Sequence, residues 1–344
     1  MKIYLFLFIA VSITITTVSC NRFVEEQENT LEEAELSEGY VLFSVMGDDT
    51  VYLVDTDEDA VKTWTSSYNT ASSCYLTEDL TLIRAGITTT AQNGTFSSGG
   101  SVSGILEELD YDSAVLWSIT MDSDEGTFHH DLKQIDSQTV IALCWELRTY
   151  EEEEYWNERV LIIDKTDNSI DWEWNAMDDG QIYPETSDDS DYIHFNSVDY
   201  NEGKILLSSR QKDTLYIIDE DTKSIEYQLT AGGELSGQHD ATFLDSGNIL
   251  VFNNRLSDYS EVLEIEIETD NIAWEYSNDF FSSHISGTQR LDSGNTLICS
   301  GTEGRILEVT EDGEEVWDYT SPYEVTQGTH TIYSVFKARK YTTY

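Results

Sequence analysis

Proline is nearly absent: Pro184 and Pro322 are the only two in 344 residues. A proline-rich spacer or a polyproline recognition tract is therefore excluded. Basic residues are scarce as well. Eighteen Lys and Arg stand against 67 Asp and Glu, for a formal net charge of −49. A chain of that sign repels phosphate backbones and anionic bilayers, which excludes nucleic acid as a partner and direct adhesion to a charged membrane. The acidic excess reads as a solvated, salt-tolerant exterior. Cysteines number four, with no CxxC and no zinc-finger spacing, so neither a disulfide framework nor a structural zinc site is expected. No metal and no cofactor is expected.

A long apolar run occurs at one place. Lys2 precedes Ile3 to Val11, and Val18-Ser19-Cys20 follows at the end of the segment. This is the layout of a secretory signal, residues 1–20, in place of a fold element. Cys20 after Val18-Ser19 resembles the lipobox of bacterial lipoproteins, although Thr17 departs from the usual Leu or Val. The expectation is an exported protein, lipid-anchored through Cys20 and otherwise secreted or periplasmic. The lipid is then the protein's single tie to a membrane. Residues 21–38 are polar and acidic without apolar period and read as a disordered tether. Removing Cys20 leaves Cys74, Cys144 and Cys299; the last two lie in apolar strand runs and read as buried small hydrophobes.

What is plentiful is Tyr, Thr, Ile and Val, which favours strands. A repeat organises them. An aromatic residue closing a short strand after an acidic turn recurs at Trp64, Trp117, Trp172, Tyr227, Trp274 and Trp317, 43 to 55 residues apart. Between these markers lies a hairpin of one type, clearest in GQHDATFLDSGNILVFNNR (237–255), where Gly and Asn supply the turn. It recurs at 75–86, 133–146, 199–211 and 290–301. Six units of about four strands predict an all-β, six-bladed β-propeller over residues 39–344. The first unit lacks the opening hairpin, and a strand is left over at 329–341. That C-terminal strand is expected to close the first blade.

Four of the six histidines, His130, His194, His239 and His284, precede an inner strand at nearly matched positions; His129 and His330 are the others. Inner strands line the central channel of a propeller, so four blades should aim an imidazole at one mouth. Arginines close second strands or the loops after them: Arg84, Arg148, Arg210, Arg255 and Arg305. Guanidinium groups suit forked binding of sulfate, phosphate or carboxylate, and imidazoles act as nucleophile, acid or base near neutral pH. The combination predicts a small anionic ester or acid as ligand. A polyhistidine metal site competes, weakened by arginines that would repel a cation.

The segments GQHDATFLDSGNILVFNN (237–254), HFNSVDYNEGKILLSSRQ (194–211), HHDLKQ (129–134) and HISGTQRLDSGNTLICSGTEGRILEV (284–309) resemble the arylsulfate sulfotransferases, which need no nucleotide sulfate donor. The resemblance implies a six-bladed propeller that moves a sulfuryl group from a phenolic sulfate ester to a phenol through a sulfated histidine. It implies catalytic roles for His194, His239, Arg255 and His284. His130, Arg210 and Arg305 are expected to bind substrate. The family's nucleophile stands in the last blade. Two positions compete for it here: His284, and the Gly301–Arg305 stretch, which carries no histidine. A second reading remains, a non-catalytic propeller binding a small anionic aromatic or sugar ligand.

Overall fold

The computed structural model describes residues 35–124, 126–185, 190–255, 259–327 and 329–344. The expected signal segment, Cys20 and most of the expected tether lie outside the described residues. Six four-stranded antiparallel sheets follow one another as the blades of a β-propeller. The innermost strands are Arg339–Tyr341, Thr70–Leu76, Gly126–Gln134, Phe195–Asn201, His239–Phe243 and Gly287–Arg290. The outermost are Ala60–Thr65, Val115–Thr120, Ile170–Asn175, Ile225–Leu229, Ile272–Tyr276 and Glu315–Thr320. The strands between are near-continuous apolar runs because each sheet is covered on both faces by its neighbours: Ile205, Leu206 and Leu207 are all fully buried.

All six aromatic markers sit on the outermost strands, and each reaches the next blade. The indole N–H of Trp64 donates to Asp110 O (3.1 Å), Trp117 to Asn168 Oδ1 (2.7 Å) and Trp172 to Glu220 O (2.9 Å). The Tyr227 hydroxyl donates to Glu268 Oε1 (3.1 Å) and Trp274 to Glu311 O (3.0 Å). Trp317 completes the circuit at Thr56 O (3.3 Å) in the first blade. The periodic aromatic thus fills the wedge between blades and satisfies its polar atom at the neighbour's acidic turn.

The ring closes where Arg339–Tyr341 pairs with Tyr40–Phe43, in register Tyr40↔Tyr341 and Leu42↔Arg339. The earlier part of the leftover segment goes elsewhere. His330–Ile332 pairs with Val325–Gln327 in a two-stranded ribbon, and among the described residues a single β-bridge, Val45↔Val335, pairs the residues between with blade one. The local partner lies nearer in sequence than the first blade, so the shorter loop wins. At the other end, Glu35–Glu38 are held on the propeller: the Ser37 amide donates to Glu308 Oε1 (2.8 Å) and Lys340 Nζ to Ser37 O (2.6 Å). Cys74, Cys144 and Cys299 are free and buried. Among the described residues, no helix is long and apolar enough to cross a membrane.

Candidate active site

The inner strands of blades three to five are not regular. Each slips register, between Phe128 and Leu132, Phe195 and Ser197, and His239 and Thr242. Positive φ values mark these places and the equivalent entry to blade six: His130 (48°), His194 (55°), Asp240 (57°) and Ile285 (50°). Such bulges re-aim side chains, and non-glycine residues hold a left-handed conformation only where the surroundings fix it. Here the bulges turn His130, His194, His239 and His284 into one cavity of about 660 Å³. The four imidazoles expected at one mouth are found at one mouth.

Their environments differ. His239 Nδ1 lies 2.7 Å from Asn254 Oδ1 and 3.0 Å from Gly237 O. Asn254 is itself oriented, since its Nδ2 donates to Ser282 O at 2.7 Å. Two acceptors at Nδ1 place the proton there and leave the lone pair on Nε2, approached by the Ile285 amide at 3.3 Å. Burial pushes His239 down to about 3, and the neighbouring His194 and Arg210 charges add to that against the Asn254 bond. His194 Nδ1 lies 2.5 Å from Asp191 Oδ2, an aspartate–histidine pair that turns Nε2 away from Asp191. His130 is buried, stacks edge-on to His194 at 4.5 Å, and is driven well below the ordinary imidazole range, first by burial and then by His194 and His129. His284 is exposed at the cavity edge with Nδ1 2.9 Å from Ser283 Oγ. Partial burial and the Arg210 charge lower it too. All four are therefore set toward the neutral form or locked in one tautomer. The sixth histidine, His330, is exposed on the side ribbon.

The arginines divide. Arg210 lines the cavity, and among the described residues no carboxylate pairs with it. Arg210 thus shares the cavity with the four imidazoles. Arg255 and Arg305 do not line it. Arg255 is turned away from the cavity: its Nε lies 2.7 Å from Glu261, its Nη2 2.8 Å from Glu234, and its plane covers Tyr259. Arg305 forks onto Asp318 at 2.8 and 3.0 Å and donates to Asp279 O. Arg84 is buried against Glu107, and Arg148 meets Glu146 and Asp178. In a chain this acidic most guanidiniums are neutralised locally, so position at the end of a strand does not by itself bring an arginine to the cavity.

Three features were not read from sequence. Asp191 and Asn254 orient two of the imidazoles; Asn254 stood inside the quoted GQHDA segment, whereas Asp191 lies in an acidic loop with nothing to mark it. The third is the loop Ser98–Ser101, which forms one wall of the cavity. Gly99 is required there, since a Cβ would stand 2.3 Å from the Trp145 ring. Among the described residues no group of three or more His, Cys, Asp or Glu side chains has a metal-holding arrangement.

A second cavity, about 550 Å³, opens at the hairpin ends of the inner strands, lined by Lys133, Asp199, Arg339 and Tyr75 among others. Between the two lies a buried ionic network. The aspartates that follow two of the site histidines, Asp131 and Asp240, accept Lys337 Nζ at 2.9 and 2.8 Å, and Arg339 forks onto Asp240 at 2.6 and 2.8 Å. The same carboxylates clip successive blades: Asp131 accepts the Val198 amide (3.1 Å), Asp199 that of Phe243 (2.8 Å) and Asp240 that of Thr288 (2.8 Å).

Comparison with known proteins bears on this geometry. A crystal structure of a protein of unknown function from Bacteroides caccae superposes with TM-score 0.61 at 12% identity, covering 88% of this chain and 98% of that one. A streptogramin B lyase structure gives 0.50 at 10% identity, covering 83% and 80%. At such identities the likeness is one of fold. No curated protein sequence matches significantly. The family model of the arylsulfotransferases (ASST) matches residues 87–322, a span that holds all four cavity histidines and Arg210. That span is well over half of the chain, and the chain belongs to the arylsulfotransferase family.

Proposed function

We propose that this propeller moves a sulfuryl group from a phenolic sulfate ester to a phenol, in two steps with a sulfated histidine between them. The observation that supports it is the meeting, in a single cavity, of four oriented imidazoles with one guanidinium that no carboxylate among the described residues pairs with. Arg210 would hold two sulfate oxygens in its fork and meet the charge they carry as the S–O bond breaks. His284 is the nucleophile of choice. Among the described residues its Nε2 has no partner, whereas Nε2 of His239 already receives the Ile285 amide. Attack forms the N–S bond and expels the phenolic oxygen with its electron pair; Ser283 Oγ steadies the proton on Nδ1 of the sulfated ring. In the second step His194, backed by Asp191, orients the acceptor's hydroxyl. His239, fixed by Asn254, and His130 complete the wall. The test is direct. Incubate the protein with an aryl sulfate in the absence of acceptor and weigh the intact protein: a mass gain of one sulfuryl group, absent in His284→Ala, is expected. A protein that releases phenol without ever carrying the group would overturn the covalent step.

We further infer that the protein is exported and lipid-anchored. Support comes from the apolar run Ile3–Val11 and from Cys20 following Val18-Ser19. Cys20→Ser should move the protein from the membrane fraction to the soluble one, and unchanged fractionation would refute the anchor.

A further inference from the structure

Behind the cavity wall lies a line of titratable groups that sulfuryl transfer as set out above does not use. His129 and His130 are consecutive, yet their rings stand edge to face, with Nδ1 to Nδ1 at 2.9 Å. On its far side, His129 Nε2 lies 3.0 Å from Glu158 Oε2. Both side chains are completely buried, and among the described residues neither of these two facing atoms has a hydrogen-bond partner of good geometry. The other carboxyl oxygen is fully engaged: Glu158 Oε1 accepts the Trp145 indole N–H at 3.0 Å and the Phe195 amide at 2.8 Å. Trp145 stacks on His129 at 3.9 Å and 9°, with Phe96 stacked near it at 6.0 Å. Water is thereby kept from His129 and Glu158.

Proton positions follow from the pairings. A shared Nδ1–Nδ1 contact needs one donor and one acceptor. A carboxyl buried without a cation is held as the neutral acid, so its proton sits on Oε2, the oxygen 3.0 Å from His129 Nε2. His129 then carries its own proton on Nδ1 and gives it to His130 Nδ1. His130 is left with its proton on Nε2, its remaining polar atom, for the cavity that it lines. Burial agrees with this order: it raises Glu158 well above the carboxyl range, helped by Asp191, and lowers both imidazoles far below theirs.

We propose that Glu158, His129 and His130 form a proton relay that protonates the departing phenolic oxygen and takes the proton back from the incoming phenol. The inference rests on the sulfuryl-transfer reading. As the S–O bond breaks, its electron pair stays on the phenolic oxygen and takes the Nε2 proton of His130. His130 Nδ1 takes the proton from His129 Nδ1, and His129 Nε2 takes the carboxyl proton of Glu158. Both imidazoles end neutral in the opposite tautomer, and the carboxylate is stabilised by the Trp145 and Phe195 N–H groups. The second step runs the line backwards. One proton is stored between two half-reactions, and none is drawn from solvent. His130 is the catalytic member; His129 and Glu158 act through it. The titratable and charged groups facing the line are Asp191 and His194 on the side of His129 and Glu158, Asp131 next to His129, and His239 and Lys337 toward His130.

Two measurements decide it. In protein labelled with ¹⁵N-histidine, resting His129 should carry its proton on Nδ1 and His130 on Nε2, with neither ring doubly protonated at neutral pH. A proton on Nδ1 of His130 overturns the relay whatever the activity. The second measurement compares phenyl sulfate with para-nitrophenyl sulfate in wild type and Glu158→Gln. Glutamine can still donate to His129 but has no proton to yield. The rate ratio of the poor to the good leaving group should fall by roughly 100-fold, the scale of lost acid catalysis. A structural role alone would slow both esters alike, and an unchanged ratio overturns the proposal. Wild type that releases phenol from neither ester would count against sulfuryl transfer, and the tautomers would then judge the relay alone.

Discussion

Lys337 holds its ammonium 2.8 Å from the Asp240 carboxylate, and each side chain is 1% exposed. Burial alone would raise the Asp240 carboxyl, but the charges of Arg339 and Lys337 outweigh it and hold it far below the usual range. A buried charge that loses its partner is worth several kcal/mol. Lys337→Met should therefore cost about 3–5 kcal/mol in denaturant unfolding. Because the folded-state pKa of Asp240 is depressed, this stability is present above about pH 4 and is lost as pH falls below it. A loss under 1 kcal/mol, or a midpoint insensitive to acid, would contradict the pairing.

Buried imidazoles give the opposite end of the acid window. His239 binds a proton near pH 3 when folded and near 6.5 when unfolded, so the unfolded state holds more protons between those values. Stability should fall as pH drops from about 6.5 toward 3, with His129 and His130 adding in the same direction. The thermal midpoint against pH in wild type and His239→Gln checks this; the variant should show the shallower slope.

The two arginines separate placement from position in the chain. Arg210→Ala should lower kcat/KM for an aryl sulfate by roughly 100-fold or more, with Arg210→Lys in between, since an ammonium cannot reproduce the fork. Arg255→Ala should cost less activity than Arg210→Ala and act on stability, because it leaves Glu261 and Glu234 without their cation. Kinetics that rank the two the other way would return the sulfate to Arg255.

Gly99→Ala tests the cavity wall. The new methyl meets the Trp145 ring, which cannot retreat because it is stacked on His129. The loop Ser98–Ser101 should be displaced instead. A raised KM is expected with a shift in tryptophan emission and little change in melting temperature, since the loop lies outside the sheets.

Much of this was legible in the sequence, for physical reasons that can be named. The aromatic period is visible because every blade must plug the same wedge, so Trp64 through Trp317 recur in phase. The histidines are visible because all four stand at the same left-handed turn into an inner strand, marked by positive φ at His130, His194, Asp240 and Ile285. Arg210 and Arg255 look alike, each following a second strand; what divides them is Glu261, which opens the third strand of blade five opposite Asn253. Blade four opens its third strand with Thr214 and offers no acid. Glu158 was invisible. It is one of many glutamates in an acidic stretch, and only the fold turns it inward beneath Trp145. The segment His330–Ile332 misled because its alternation fits a ribbon and a blade equally.

The ionic network also fixes an order of events in time. Asp131 and Asp240 are synthesised well before Lys337 and Arg339, the cations that neutralise them. Until those cations arrive, the inner strands of blades three and five would have to bury bare carboxylates at the axis, and a hydrated, unclosed arc is the cheaper state. The ring can commit only when its end meets its beginning. The same two residues that lock the propeller also leave it unlocked while it is being made.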